Sequence, residues 1–352
     1  MWRQILSFRF SKLARSAKFV AFALSLLCAV QYGAAQDTPL LSGGIGFFTK
    51  TTGGNTQYFP YIEPVAALPL GDHVLIESRG TVAEFFNPTQ KGYKTASFKT
   101  VDYLQGDVLV APHLTIVGGD FLTPFGTYNE RQTQIWLQTL QDFPLIYGVG
   151  IMNFGESVGG MARGSAYSNQ HVNITYAAYY SSNVTNQYFA SERSSGGQFS
   201  VYLPESGLEV GASYGRSLGV AHENYWGTHL LWEPIDSPFR FRSEWAKAPH
   251  AQGYWFETDY RLSHFGGADS PIGRLEPVFR MQQTFRDKPD PNDGLPSFNT
   301  QEADFGLDYH LPHEVRINTS YSRQFAANNR NVNIWETAII YRFLFPAWKS
   351  KK

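Results

Sequence analysis

The chain has 352 residues, with 29 basic against 30 acidic side chains, 16% aromatic residues and a single cysteine. No basic excess is available for a nucleic-acid partner. One cysteine, Cys28, excludes a disulfide framework or a thiolate metal centre, and no motif calls for a cofactor.

Residues 1–18 carry Arg3, Arg9, Lys12, Arg15 and Lys18 and no acid, Phe19–Val30 is a 12-residue apolar stretch, and Gly33-Ala34-Ala35 is a small-x-small cleavage site. This is the pattern of a secretory signal peptide, 1–35, cleaved after Ala35. Twelve residues fall short of the roughly 20 that a helical anchor needs. Leu27 before Cys28 argues against lipidation. Removal of 1–35 leaves 24 basic against 30 acidic residues.

From Leu40 onward, roughly ten-residue alternating segments recur with turn signals between them. Sixteen are predicted, over 42–50, 58–69, 74–86, 96–110, 113–121, 157–163, 171–181, 197–204, 207–216, 223–233, 238–247, 252–262, 273–285, 299–311, 314–325 and 332–345. Links after even-numbered strands read as short, such as Leu70-Gly71-Asp72 and Leu311-Pro312-His313. Links after odd-numbered ones read as mostly longer, such as Ser182–Gly196 and Asp287–Ser297. Alternation without an apolar helix predicts an all-β, transmembrane antiparallel β-barrel of about sixteen strands over 36–345, with short turns at one rim and long loops at the other. The mature chain ends in a short tail, 346–352.

The longest link, 123–156, follows the fifth strand. It contains Trp136, Leu137, Leu140, Phe143, Pro144, Leu145 and Ile146, too apolar a set for a loop left in water. Packing inside the barrel buries them and leaves Glu130, Arg131 and Asp142 for the water side; a strand pair hidden within the segment is the alternative. In the second half of the chain, residues whose neighbours are aromatic or aliphatic face inward. That phase places Arg240, Arg242, Arg261, Arg274, Arg280, Arg316 and Arg342 on the pore side, with Glu244 and Glu276 among the acids that share it. A charge on the lipid side near the midplane costs about 2–4 kcal/mol, which favours the inward assignment. The guanidinium groups read either as a ladder that passes anions along or as partners of those acids in a weakly selective pore.

His310-Leu311-Pro312-His313-Glu314 superficially matches a zinc signature, but Pro312 falls in a tight turn between strands, whereas that motif needs both histidines on one helix. No metal site is predicted. In the last strand Trp335, Thr337, Ile339, Tyr341, Phe343 and Phe345 make one nearly apolar face, while Glu336 and Arg342 lie on the other. A near-terminal strand of this kind resembles the signal by which bacterial outer-membrane barrels address their assembly machinery.

Gly119-Asp120-Phe121-Leu122-Thr123-Pro124-Phe125-Gly126, followed by Glu130-Arg131, resembles the Gly-x-Phe-x-x-Pro-Phe-Gly element of the phosphate-selective porin O and P family. The matching positions are Gly119, Phe121, Pro124, Phe125 and Gly126. The resemblance implies an outer-membrane porin, set in lipid, trimeric, with a third loop folded inward as a constriction. The implied function is passive diffusion of small hydrophilic solutes, including anions such as phosphate. The net acidic mature chain departs from the basic lumen on which phosphate selectivity rests in that family. Two other classes of outer-membrane barrel remain as alternatives, a hydrolase of phospholipase or protease type and an adhesive or structural barrel.

Overall fold

The computed structural model describes residues 39–346, apart from 148–154, 187–188, 220–221, 289–295 and 327–330. The signal-peptide segment with its cleavage site, and the tail beyond Pro346, lie outside the described residues.

Sixteen antiparallel strands close on themselves. They are β1 (Leu40–Thr52), β2 (Asn55–Leu70), β3 (Val74–Thr89), β4 (Gly92–Ala111), β5 (Leu114–Leu122), β6 (Glu156–Ser168), β7 (Asn173–Ser181), β8 (Ser194–Leu203), β9 (Leu208–Ser217), β10 (Asn224–Trp232), β11 (Phe239–Ala248), β12 (Ala251–Tyr260), β13 (Leu275–Arg286), β14 (Thr300–Leu311), β15 (Val315–Ala326) and β16 (Val332–Pro346). Each pairs with its neighbour in sequence, and β16 returns to β1, with Phe48 opposite Ala338 and Lys50 opposite Glu336. Closure leaves no edge strand, so every strand finds partners for its backbone on both sides. Between β7 and β8 a small hairpin, Val184–Thr185 with Ala190–Ser191, adds two short strands outside the barrel order.

The period-two pattern sorts side chains between two media. On β16 Trp335 is 54% exposed and Ile339 49%, while Ile334, Glu336, Ala338 and Ile340 are buried. The same holds on β14, where Phe305 is exposed and Glu302, Asp304 and Asp308 are buried. The apolar set faces outward, and the inward set carries most of the charge. This inward phase runs from β7 round to β2, except near the end of β16, where Phe343 is buried and Arg342 exposed.

The two rims differ from the expectation in four places. The links β1–β2, β3–β4 and β11–β12 on the long-loop side are two-residue turns, and the 14-residue link 261–274 stands on the short-turn side. Strands, not loops, supply the length at the first two: β4 has 20 residues, against about 9–11 needed to cross a bilayer. The β3–β4 hairpin therefore projects past the rim.

Candidate permeation pathway

Strand β5 carries a glycine three residues before it ends. Gly119 has φ 125°, a conformation that favours glycine, and a Cβ there would lie 2.4 Å from the Leu104 carbonyl oxygen. Asp120 and Phe121 beyond it are both buried, so alternation ends where the wall gives way to the connection 123–155. The Thr123 and Ser157 hydroxyls share a 2.7 Å hydrogen bond that ties the start of this connection to β6.

The family-like turn docks on the opposite wall. Gly126 has φ 67°, and a Cβ would come within 2.2 Å of the Tyr147 hydroxyl. Its N–H donates to Ser213 Oγ on β9 (3.0 Å), and Gln198 on β8 donates to its carbonyl (2.6 Å). Glu244 on β11 accepts from the N–H groups of Thr127 (2.5 Å) and Tyr128 (2.8 Å) and from the Thr127 hydroxyl (2.6 Å). Its other oxygen accepts from the Tyr147 hydroxyl. One wall carboxylate thus satisfies two of the free amides that open the one-turn helix Tyr128–Arg131. Burial and the adjacent Glu244 push the Tyr147 hydroxyl well above its ordinary pKa, so it stays a donor.

The connection then reaches around the lumen. Ile135 N–H donates to Glu63 on β2 (2.9 Å), the Thr139 hydroxyl to Glu257 on β12 (2.5 Å), and Leu145 N–H to Gln282 on β13 (2.6 Å). Lys50 on β1 donates to Asp142 (2.5 Å), and Asn318 on β15 donates to the Thr139 carbonyl (2.7 Å). All of these wall residues belong to the inward phase, so residues 123–147 lie inside the barrel. Among the described residues of this connection there is no strand; its regular elements are the turn at Tyr128 and a 3₁₀ turn, Leu145–Tyr147.

Its apolar side chains meet wall glycines. A Cβ added at Gly44 would lie 2.7 Å from the Trp136 ring, at Gly227 3.0 Å from Phe125, at Gly253 2.5 Å from Ile146 and at Gly306 2.5 Å from Leu140. Each glycine leaves a notch that a loop residue fills. Phe125, Tyr128 and Ile146 join Val117, Phe121, Met161, Tyr179 and Trp255 in one buried cluster, and Ile135 joins Phe48, Ala338 and Ile340 in another. Leu137 and Phe143, by contrast, remain about 40% exposed.

The predicted arginines fall into two groups. Arg240 pairs with Asp259 (2.5 Å) and Glu276, Arg242 with Glu257 (3.0 Å), and Arg280 with Glu257 (2.7 Å). Arg316 lies 3.4 Å from Asp308 and donates to the carbonyls of Ile135 (3.2 Å) and Gln138. Arg242 and Arg280 are buried. These guanidinium groups brace the wall and the loop. The other three sit at the short-turn rim: Arg261 and Arg274 bound the link 261–274, Arg274 lies 3.8 Å from exposed Asp269, and Arg342 is exposed with its N–H on the Glu314 carbonyl (3.0 Å).

Free space remains on the other side. Between the loop and β3–β6 a cavity of about 130 Å³ is lined by Glu77, Tyr103, Gln105, Glu130, Gln134 and Arg163. Arg163 pairs with Asp107, and Arg131 pairs bidentately with Glu209 (2.8 and 3.0 Å). Burial pushes the Glu130 carboxyl above its ordinary range, with Arg163 and Arg131 acting against the shift. A wider cavity of about 610 Å³ opens at the long-loop rim. Arg79, Arg163 and Glu63 were not legible in the sequence, since in the first half the period of two is broken on β4, where Asp102 bulges opposite Arg79 and Gly80.

Two constellations resemble chemistry. Ser200 lies 3.2 Å and Glu209 3.5 Å from His229, but both meet Nε2, whereas a relay needs the acid on Nδ1. Glu276, Asp308 and His310 bring ligand atoms within 4.8 Å of one another. Arg240 and Arg316 already pair with those carboxylates.

No family model matches the chain, and no curated protein does. Solved structures do. Salmonella typhi OmpF, in complex with daunomycin, superposes with a TM-score of 0.60 at 10% identity over 87% of this chain and 97% of that one. A loop L8 deletion mutant of OmpT, an outer membrane protein of Vibrio cholerae, gives 0.55 at 10% identity over 88% and 100%. A triple mutant of the Rhodopseudomonas blastica porin gives 0.52 at 11% identity over 86% and 100%. The chain shares the barrel fold of these outer-membrane proteins.

Proposed function

We propose that the mature chain forms a water-filled passage across a bacterial outer membrane, through which small hydrophilic solutes diffuse passively. One observation carries this reading: a closed sixteen-strand wall with an apolar outer face and a charged inner face, partly filled by its own longest connection. In this reading residues 1–35 direct export, β16 is the strand read by the assembly machinery, and loop 123–147 is the constriction. The protomers assemble as trimers, as the family resemblance implies. Reconstitution into planar bilayers tests it. Discrete steps of conductance that grow in proportion to salt concentration are expected, and a preparation of folded barrels that never conducts would refute it.

Selectivity follows from which charges remain unspent. Arg240, Arg242, Arg280 and Arg316 are paired with carboxylates, which argues against the anion ladder and against the phosphate preference implied by resemblance. The open side of the lumen presents Glu77 and Glu130 beside an Arg163 already held by Asp107. The expected passage favours small cations weakly. A reversal potential of the anionic sign in a KCl gradient would restore the anion reading.

A further inference from the structure

Three phenyl rings stand on the water side of the wall, where a barrel lumen is ordinarily polar. Phe48, Phe59 and Phe85 occupy one rung of β1, β2 and β3. Phe48 stacks on Phe59 with centroids 5.4 Å apart and planes at 6°, and Phe59 stacks on Phe85 at 5.5 Å and 29°. The loop's Ile135 and Trp136 cover Phe48, yet Phe59 and Phe85 stay half-buried. The next rung toward the long-loop rim is Lys50, Gln57 and Asn87, joined by a 2.6 Å hydrogen bond from Gln57 to Asn87. Above it lies the 610 Å³ cavity, whose lining includes Asn55, Thr89 and Gln90. Its volume lies within the roughly 300–1,000 Å³ usual for small-molecule sites.

We propose that this mouth is a subsite for neutral polyhydroxylated solutes, sugars above all, which the passage collects before they meet the constriction. The solute class rests on the channel reading; the subsite itself rests on the two rungs. A sugar ring has an apolar C–H face and a rim of hydroxyls that both donate and accept. The rings on the rung beneath the cavity match the face, and the amides and threonine hydroxyls that line it match the rim because they too donate and accept. Charge selects against ions. Lys50 is the charged residue of the lining, and its ammonium is spent on Asp142 (2.5 Å) and Glu336 (3.1 Å).

The test titrates maltotriose against open single channels and, separately, against the full protein in detergent by calorimetry. Saturable block of the current is expected, together with saturable binding in detergent. Both should weaken about tenfold in Phe85→Leu, which keeps apolar bulk but removes the ring, and in Asn87→Ala. Open channels whose current ignores maltotriose would overturn the subsite and leave the channel reading standing. Binding in detergent without any conductance would uphold the subsite and sink the channel reading. Block by inorganic phosphate as strong as that by maltotriose would overturn the neutral class.

Discussion

Glu257 decides how the paired charges of the inner wall should respond to mutation. It is buried between Arg242 (3.0 Å) and Arg280 (2.7 Å) and also accepts from the loop's Thr139. Its removal strands two guanidinium groups in a site that water hardly reaches. Glu257→Gln is expected to cost about 3–5 kcal/mol, the usual penalty for an uncompensated buried charge. The readout is the temperature at which the compact band on an SDS gel gives way to the unfolded one. Glu130 differs because it faces the open cavity. Burial raises its pKa, so it gains its charge at a higher pH than an ordinary glutamate. Cation preference should therefore rise with pH through that window. Glu130→Gln should flatten the profile; an unchanged profile would place the responsible group elsewhere.

The loop and its wall are the element on which the proposed passage depends. Removing residues 132–143 takes away the contacts to β1, β2, β12 and β15, and single-channel conductance is expected to rise several-fold while the barrel stays folded. A gentler probe is Gly306→Val, whose Cβ would stand 2.5 Å from Leu140. Overpacking of this kind costs about 1–3 kcal/mol. Here the loop is expected to shift rather than the wall, giving a noisier current. The strands were legible because the period of two is set by the two media, and all sixteen predicted segments overlap the observed ones. The loop's apolar residues were legible as out of place in water. Their sockets were not, since Gly44, Gly227, Gly253 and Gly306 look like ordinary strand glycines until three-dimensional register sets them against Trp136, Phe125, Ile146 and Leu140. Rim positions failed for a related reason: alternation fixes which face a residue takes, but not how far along the strand the sheet continues. Arg261 and Arg274 share the inward phase and yet lie beyond the ends of β12 and β13.

At the scale of the whole molecule, a closed barrel has no free edge and should resist detergent until heated. Unheated and boiled samples are expected to migrate differently, and cross-linking of the unheated form tests the trimer. The loop adds a mechanical property. An empty cylinder of sixteen strands can flatten into an ellipse at little cost, because bending is shared over many hinged neighbours. Here one segment is pinned to β1, β2, β8, β9, β11, β12, β13 and β15, like a hub with spokes of unequal length. Flattening along any diameter must stretch some spokes and compress others. In the proposed channel the aperture would thereby be held to one size, so a solute would be measured against a fixed gauge rather than a breathing one.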